Sequence, residues 1–173
     1  MKIFSKKPIL ITILRNAPII LLFISVLNEF DLNYLELKYF SFNFPFILIF
    51  YWSLKKSESL GYGYIFLAGL FNDVVVGLPI GISSFSYLLI SGFASYLRNI
   101  TLSPNLIKDW IFFLFTILVV NSTVFLSLTL LFLYSLDYYD LVINIFFTFL
   151  FYIIFANIFK FYQEMIFGKT NDQ

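Results

Sequence analysis

The chain has 173 residues, of which 61% are hydrophobic and only 12% are charged, and its formal net charge is +1. This composition leaves too little polar surface to cover a soluble globule and indicates a membrane protein. The absence of cysteine excludes disulfides, thiol catalysis and thiolate metal sites. The absence of histidine removes the commonest general base and transition-metal ligand, so we expect no enzyme activity, metal centre or cofactor.

Hydropathy divides the chain into six apolar segments, each near the length that a helix needs to cross about 30 Å of hydrocarbon. The predicted spans are residues 9–27, 40–54, 60–77, 82–98, 110–134 and 141–162. The first follows a basic start but lacks a small-x-small cleavage site, so we expect a retained helix. The second is the shortest, which predicts a tilted or locally thinned crossing. Residues 1–173 therefore form a single predicted membrane domain, without a soluble segment suited to nucleic acid.

Lysine and arginine are distributed unevenly among the loops, and positively charged loops tend to stay in the cytoplasm. With a cytoplasmic amino terminus, ten of the eleven basic residues fall inside and only Lys38 falls outside. The inside set is Lys2, Lys6, Lys7, Arg15, Lys55, Lys56, Arg98, Lys108, Lys160 and Lys169. The fold class predicted is an all-α integral membrane protein, with six transmembrane helices in one compact bundle and both termini in the cytoplasm.

The stretch GLFNDVVVGLPIGISS, residues 69–84, is unusually polar and glycine-rich for an apolar segment. A small-residue stripe recurs there every four positions, at Gly69, Asp73, Gly77 and Gly81. The first three share one face of the third predicted helix, and the fourth begins the turn. Such a stripe lets a neighbouring backbone approach closely, and Ser84, Ser91 and Ser95 offer a matching face on the fourth helix. We expect these two helices to form a tight hairpin.

Three roles are open for the carboxylate of Asp73. It can fix the hairpin by accepting hydrogen bonds from backbone N–H groups of the GLPIGIS turn, or from Ser83 or Ser84. It can face and dock another membrane protein, or it can relay a proton or cation. A relay has little sequence support, because we identify no second intramembrane carboxylate. The stripe is therefore predicted as a helix-packing or partner-docking motif.

Residues 44–99 carry a pattern of specific residues around this stripe. A proline-led short helix ends in an aromatic pair and a basic turn, at Pro45, Tyr51, Trp52, Lys55 and Lys56. The next helix follows the pattern G-x-x-x-D-x-x-x-G-x-x-x-G, at Gly69, Asp73, Gly77 and Gly81. The helix after it starts with an Ile-Gly pair, at Ile80 and Gly81. This block resembles the central part of the rod shape-determining protein MreD family. Ser57 departs from that family, which often has proline after the basic pair.

The resemblance implies a non-catalytic inner-membrane adaptor of the bacterial cell-elongation (rod) complex, supporting cell shape and lateral peptidoglycan synthesis. It implies as partners an MreC-like protein, the MreB filament, RodA and penicillin-binding synthases, within the lipid bilayer. The alternative is the substrate-binding subunit (S-component) of an energy-coupling-factor vitamin transporter, a fold to which MreD is similar. Such subunits commonly dock through an Ala-x-x-x-Ala face on the first helix. In this chain the first predicted helix contains a single alanine, Ala17.

Overall fold

The computed structural model describes residues 16–27, 41–56, 59–101, 105–133 and 138–167. Within these ranges the chain forms six α-helices and no strand. They are α1 (Ala17–Leu27), α2 (Phe44–Lys55), α3 (Tyr62–Val76), α4 (Ile82–Ile100), α5 (Leu106–Phe132) and α6 (Tyr138–Phe167). Residues 9–15 of the first predicted span, the predicted outer loop at residues 28–39, and Ser57 lie outside the described residues.

Asparagine side chains fix the starts of two helices. The side-chain oxygen of Asn43 accepts a hydrogen bond from the Phe46 N–H at 3.2 Å, which caps α2. Asn105 caps α5 in the same way, through the Ile107 N–H at 2.9 Å. Pro45 lies in the first turn of α2, where a helix needs no N–H donor. Local sequence therefore determines where these helices begin.

The short helix α2 is the centre of the bundle. It packs against α1, α4 and α6, and every residue from Phe44 to Leu54 is buried. Its 12 residues extend about 18 Å at 1.5 Å per residue, which is less than the roughly 30 Å of a hydrocarbon layer. A helix that is apolar on all sides is normally buried rather than exposed to solvent. The short α2 is thus a core helix that packs against two longer helices, α4 and α6, and against α1.

The other helices form an arc around α2. In this arc α1 packs on α3, α3 on α4, α4 on α5, and α5 on α6. Aromatic rings fill the space between the arc and the centre. The ring of Phe50 in α2 lies 5.0 Å from that of Phe113 and 5.7 Å from that of Tyr152, and the last two stack at 4.5 Å. These aromatic rings therefore serve as packing groups in the core.

Exposed apolar stripes run along α5 and α6. On α6 the stripe comprises Val142, Phe146, Leu150, Ile154, Ile158, Phe161 and Met165. It spans 23 residue steps from 142 to 165, or about 35 Å of helix. Among the described helices, these two are long and apolar enough to cross a membrane. The chain is thus all-helical where described and has two candidate membrane-spanning helices.

The described lysine and arginine side chains gather at one end of the bundle. Lys55 and Lys56 end α2, Arg98 lies in the last turn of α4, Lys108 begins α5, and Lys160 faces the same cleft as Lys55. We call this the basic end. The opposite hairpin end holds the α3–α4 turn and the starts of α2 and α6. The two ends therefore differ in charge, as the sequence predicts. The remaining basic residues lie outside the described residues: Lys2, Lys6, Lys7, Arg15, Lys38 and Lys169.

Candidate functional site

The carboxylate of Asp73 is fully buried in the last turn of α3, at 0% exposure. Its Oδ2 accepts a hydrogen bond from the Gly81 N–H at 2.6 Å, and its Oδ1 accepts one from the Ser83 N–H at 2.8 Å. Both donors belong to the start of α4, where the first N–H groups of a helix lack partners within that helix. Gly81 stands at the N-cap position and has no side chain to fill this role. Asp73 therefore caps α4 from the neighbouring helix, and its charge complements the helix dipole.

The three glycines of the stripe have two different roles. A Cβ placed on Gly69 would overlap the Cα and N atoms of Ser84 and lie 2.9 Å from the carbonyl carbon of Ser83. Gly69 thus allows the backbones of α3 and α4 to touch. Gly77 and Gly81 have φ angles of +75° and +106°, in the left-handed region that favours glycine, and open space surrounds their Cβ positions. These two glycines shape the turn rather than extend a packing face.

Side-chain hydrogen bonds join the two helices of the hairpin. The Ser84 hydroxyl donates to the Phe66 carbonyl at 3.0 Å, and the Asn72 amide donates to Ser83 Oγ at 2.8 Å. Near the other end of the hairpin, the hydroxyls of Tyr62 and Ser95 lie 3.2 Å apart. These contacts hold α3 and α4 together along their length.

Ser91 of α4 contacts the central helix α2. Its hydroxyl is 2.9 Å from that of Ser53 in the central helix α2, and both residues are buried. The hydroxyl of Ser91 thus bonds to α2, and the predicted packing of Ser91 against α3 stays a prediction. Helical spacing places a residue on a face but does not say which neighbour covers that face.

An ion pair between a partly exposed lysine and a buried aspartate occupies the basic end. The ammonium of Lys55 lies 2.7 Å from Oδ2 of Asp109, a residue that is only 3% exposed. The Arg98 guanidinium donates to the Ser53 carbonyl at 3.1 Å. These groups line a cleft of about 390 Å³ that Lys160 and Glu164 also border. Asp109 is a second buried carboxylate that sequence analysis missed, because an aspartate in the first turn of a helix usually faces solvent.

The hairpin end contains a separate cavity of about 450 Å³ with a mixed polar and apolar lining. We call it the hairpin-end cavity, and it lies between the start of α2, the α3–α4 turn, α5 and the start of α6. Its polar lining consists of carboxamides and hydroxyls, from Ser25, Ser41, Asn43, Asn72, Ser83, Ser86, Tyr87, Asn121 and Asn144. The sequence did not predict this cavity, because spacing along the chain does not show that residues of several helices surround one space.

The chemistry available at these places is that of hydrogen bonding and charge pairing. The described residues contain no group of three or more side chains suited to holding a metal ion. Both oxygens of Asp73 are occupied by backbone donors, which fits a structural role for this carboxylate. No protein-family model, curated protein or solved structure matches the chain.

Proposed function

We propose that this protein is a non-catalytic, multi-pass inner-membrane adaptor of the bacterial cell-elongation complex. In this role it supports cell shape and lateral peptidoglycan synthesis by holding other membrane proteins together. The proposal starts from the resemblance of residues 44–99 to the MreD family. It is supported by the compact hairpin in which Gly69, Asp73, Gly77 and Gly81 all contribute to one turn and one helix contact.

The observation that carries the proposal is the pair of apolar stripes on α5 and α6. The α5 stripe comprises Ile107, Ile111, Phe115, Leu118, Leu126 and Leu130, and it resembles the stripe on α6 in length. Buried polar groups such as Asp73 and Asp109 lie inside the bundle, whereas large apolar side chains cover these outer faces. A protein built in this way contacts its surroundings through lipid-facing helices and short loops. Adaptors in membranes bind partners through such faces by close packing and hydrogen bonds.

The proposed orientation follows from the charge difference between the two ends. The basic end faces the cytoplasm, the hairpin end faces the opposite side, and six spans return both termini to the cytoplasm. The partners in this arrangement are an MreC-like membrane protein, RodA and penicillin-binding synthases, with the MreB filament on the cytoplasmic side. The adaptor itself uses no cofactor and does not bind nucleic acid.

The second candidate function is that of a substrate-binding subunit of an energy-coupling-factor transporter. The hairpin-end cavity favours it, because a carrier needs a ligand site and 450 Å³ lies within the range of small-molecule pockets. The first helix is a point against it, since Ala17 lies at the start of α1 and no second alanine continues an Ala-x-x-x-Ala face.

Affinity purification from native membranes separates the two candidates. The full chain carries a carboxyl-terminal tag, the membranes are solubilised in a mild detergent, and co-purifying proteins are quantified by mass spectrometry. An equally abundant tagged membrane protein of unrelated function provides the control. The adaptor role predicts enrichment of MreC-like and RodA-like proteins. Recovery of two ATPases and a transmembrane coupling subunit would instead establish the carrier, and recovery of neither set would refute both candidates.

A further inference from the structure

The hairpin-end cavity has an unusual feature in the side chain of Tyr87. This residue lines the cavity and is only 1% exposed. Its ring is held edge-on to that of Phe46, with centroids 5.9 Å apart. Its hydroxyl makes no hydrogen bond to another described residue, and it is not one of the fully enclosed unpaired groups, which are Trp52 Nε1 and Thr129 Oγ1 in the described part of the chain. The cavity thus contains a fixed polar group that a bound molecule can satisfy.

Three carboxamides around the cavity are also only partly satisfied by the protein. Asn72 and Asn121 use their amide groups as donors, to Ser83 Oγ and to the Ile117 carbonyl, each at 2.8 Å. Their side-chain oxygens have no partner among the described residues. Asn43 uses its oxygen to cap α2, which leaves its amide group as a donor. The lining therefore offers donors and acceptors together.

The charge of the lining restricts what can bind. No lysine, arginine, aspartate or glutamate lines the cavity in the described part of the chain. The buried carboxylate of Asp73 is engaged by Gly81 and Ser83 and does not line the cavity. A charged molecule would lose its hydration without gaining a counter-charge, which is costly. An anion would in addition be repelled by the Asp73 carboxylate.

We propose that the hairpin-end cavity is a binding site for a small uncharged molecule that carries hydroxyl or carboxamide groups. Tyr87, Asn72 and Asn121 make hydrogen bonds to its polar groups, and the Phe46 side of the cavity contacts its apolar part. This inference rests on the cavity alone and does not require the adaptor role, whereas the carrier candidate does require such a ligand site.

The test measures thermal stabilisation of the purified full chain in detergent by named probes. The uncharged probes are myo-inositol, N-acetylglucosamine and nicotinamide, and their charged counterparts are inositol phosphate, glucosamine and nicotinate, all in millimolar excess. A molecule that binds only the folded protein raises its melting temperature. We expect at least one uncharged probe to do so, and its charged counterpart to have no effect.

Two tyrosine variants show whether the effect arises in the cavity. Tyr87→Phe removes a hydroxyl that has no described partner, so we expect normal folding but a several-fold smaller response to the probe. Tyr152→Phe is the matched control, because Tyr152 is also 1% exposed, has no described hydrogen bond and lies outside the cavity lining. Its response should equal that of the unmodified protein. Asn121→Leu, which narrows the cavity and removes an acceptor, should abolish the response.

Three results would overturn the proposal. If no uncharged probe raises the melting temperature, the cavity does not bind the class of molecule assigned to it. If a charged counterpart stabilises the protein equally, the assigned chemistry is wrong. If Tyr87→Phe responds like the unmodified protein, the binding lies elsewhere.

Discussion

Replacement of Asp73 by leucine removes the cap that joins α3 to α4. The Gly81 and Ser83 N–H groups then lose acceptors at 2.6 and 2.8 Å. An unpaired buried N–H costs about 1–3 kcal/mol, and Ser83 is buried whereas Gly81 is partly exposed. The expected loss of folding free energy is therefore about 2–5 kcal/mol, most of it from Ser83. Such a loss should lower both the abundance of the protein in membranes and its melting temperature in detergent.

Asp73→Asn provides an isosteric comparison. Its side chain keeps one oxygen acceptor but presents an amide donor to the other backbone N–H, so it can satisfy only one of the two groups. We expect a loss of about 1–3 kcal/mol, intermediate between the unmodified protein and Asp73→Leu.

Asp140→Asn is the matched control, because Asp140 is an exposed aspartate in the first turn of α6. Its only expected cost is a weaker helix-dipole interaction, at about 0.3–1 kcal/mol. Abundance and melting temperature measured side by side decide the question. An Asp73→Leu protein as abundant and heat-stable as the unmodified chain would refute the structural role. If that variant were stable but no longer recovered an MreC-like protein, the carboxylate would be a docking group.

Three other predictions concern packing, charge and orientation. Gly69→Ala should strongly destabilise the α3–α4 contact, because the added methyl group overlaps the Ser84 backbone. Gly92→Ala is the control and should be tolerated, because its methyl group enters open space; thermal melting in detergent compares the two variants. Lys55→Met should cost about 1–3 kcal/mol, because it leaves the buried Asp109 carboxylate without its partner. Lys160→Met removes one member of an exposed pair and should cost under about 1 kcal/mol, and equal losses would contradict a stabilising role of the Lys55–Asp109 pair. Reporter fusions at the carboxyl terminus and in the α5–α6 connection should report opposite sides of the membrane, and a carboxyl terminus outside the cytoplasm would exclude six spans with this orientation.

The sequence predicted where the helices lie along the chain better than it predicted what surrounds each helix. The predicted spans at 82–98 and 141–162 lie within α4 and α6, and that at 60–77 closely brackets α3. Apolar runs and turn residues are local signals, so they locate helices well. The burial of α2 was missed, because an apolar helix has the same composition whether it faces lipid or other helices.

The difference between local signals and contacts among distant residues also explains which features of the candidate sites the sequence predicted and which it missed. The hydrogen bonds from the turn to Asp73 were one of the expected arrangements, since acceptor and donors lie within ten residues of each other. The Lys55–Asp109 pair joins residues 54 positions apart, and the hairpin-end cavity gathers residues from several helices. Contacts of this kind depend on how the helices pack, which local patterns do not encode.

Depletion of the protein in a rod-shaped host tests the proposed role in cell elongation most directly. Cell width and the incorporation of labelled peptidoglycan along the side wall are followed by microscopy as the protein is lost, with re-expression of the unmodified chain as the control. The adaptor role predicts rounding of the cells and loss of lateral wall growth, both reversed by re-expression. Cells that keep their rod shape and lateral growth, and need only an added vitamin to multiply, would contradict it.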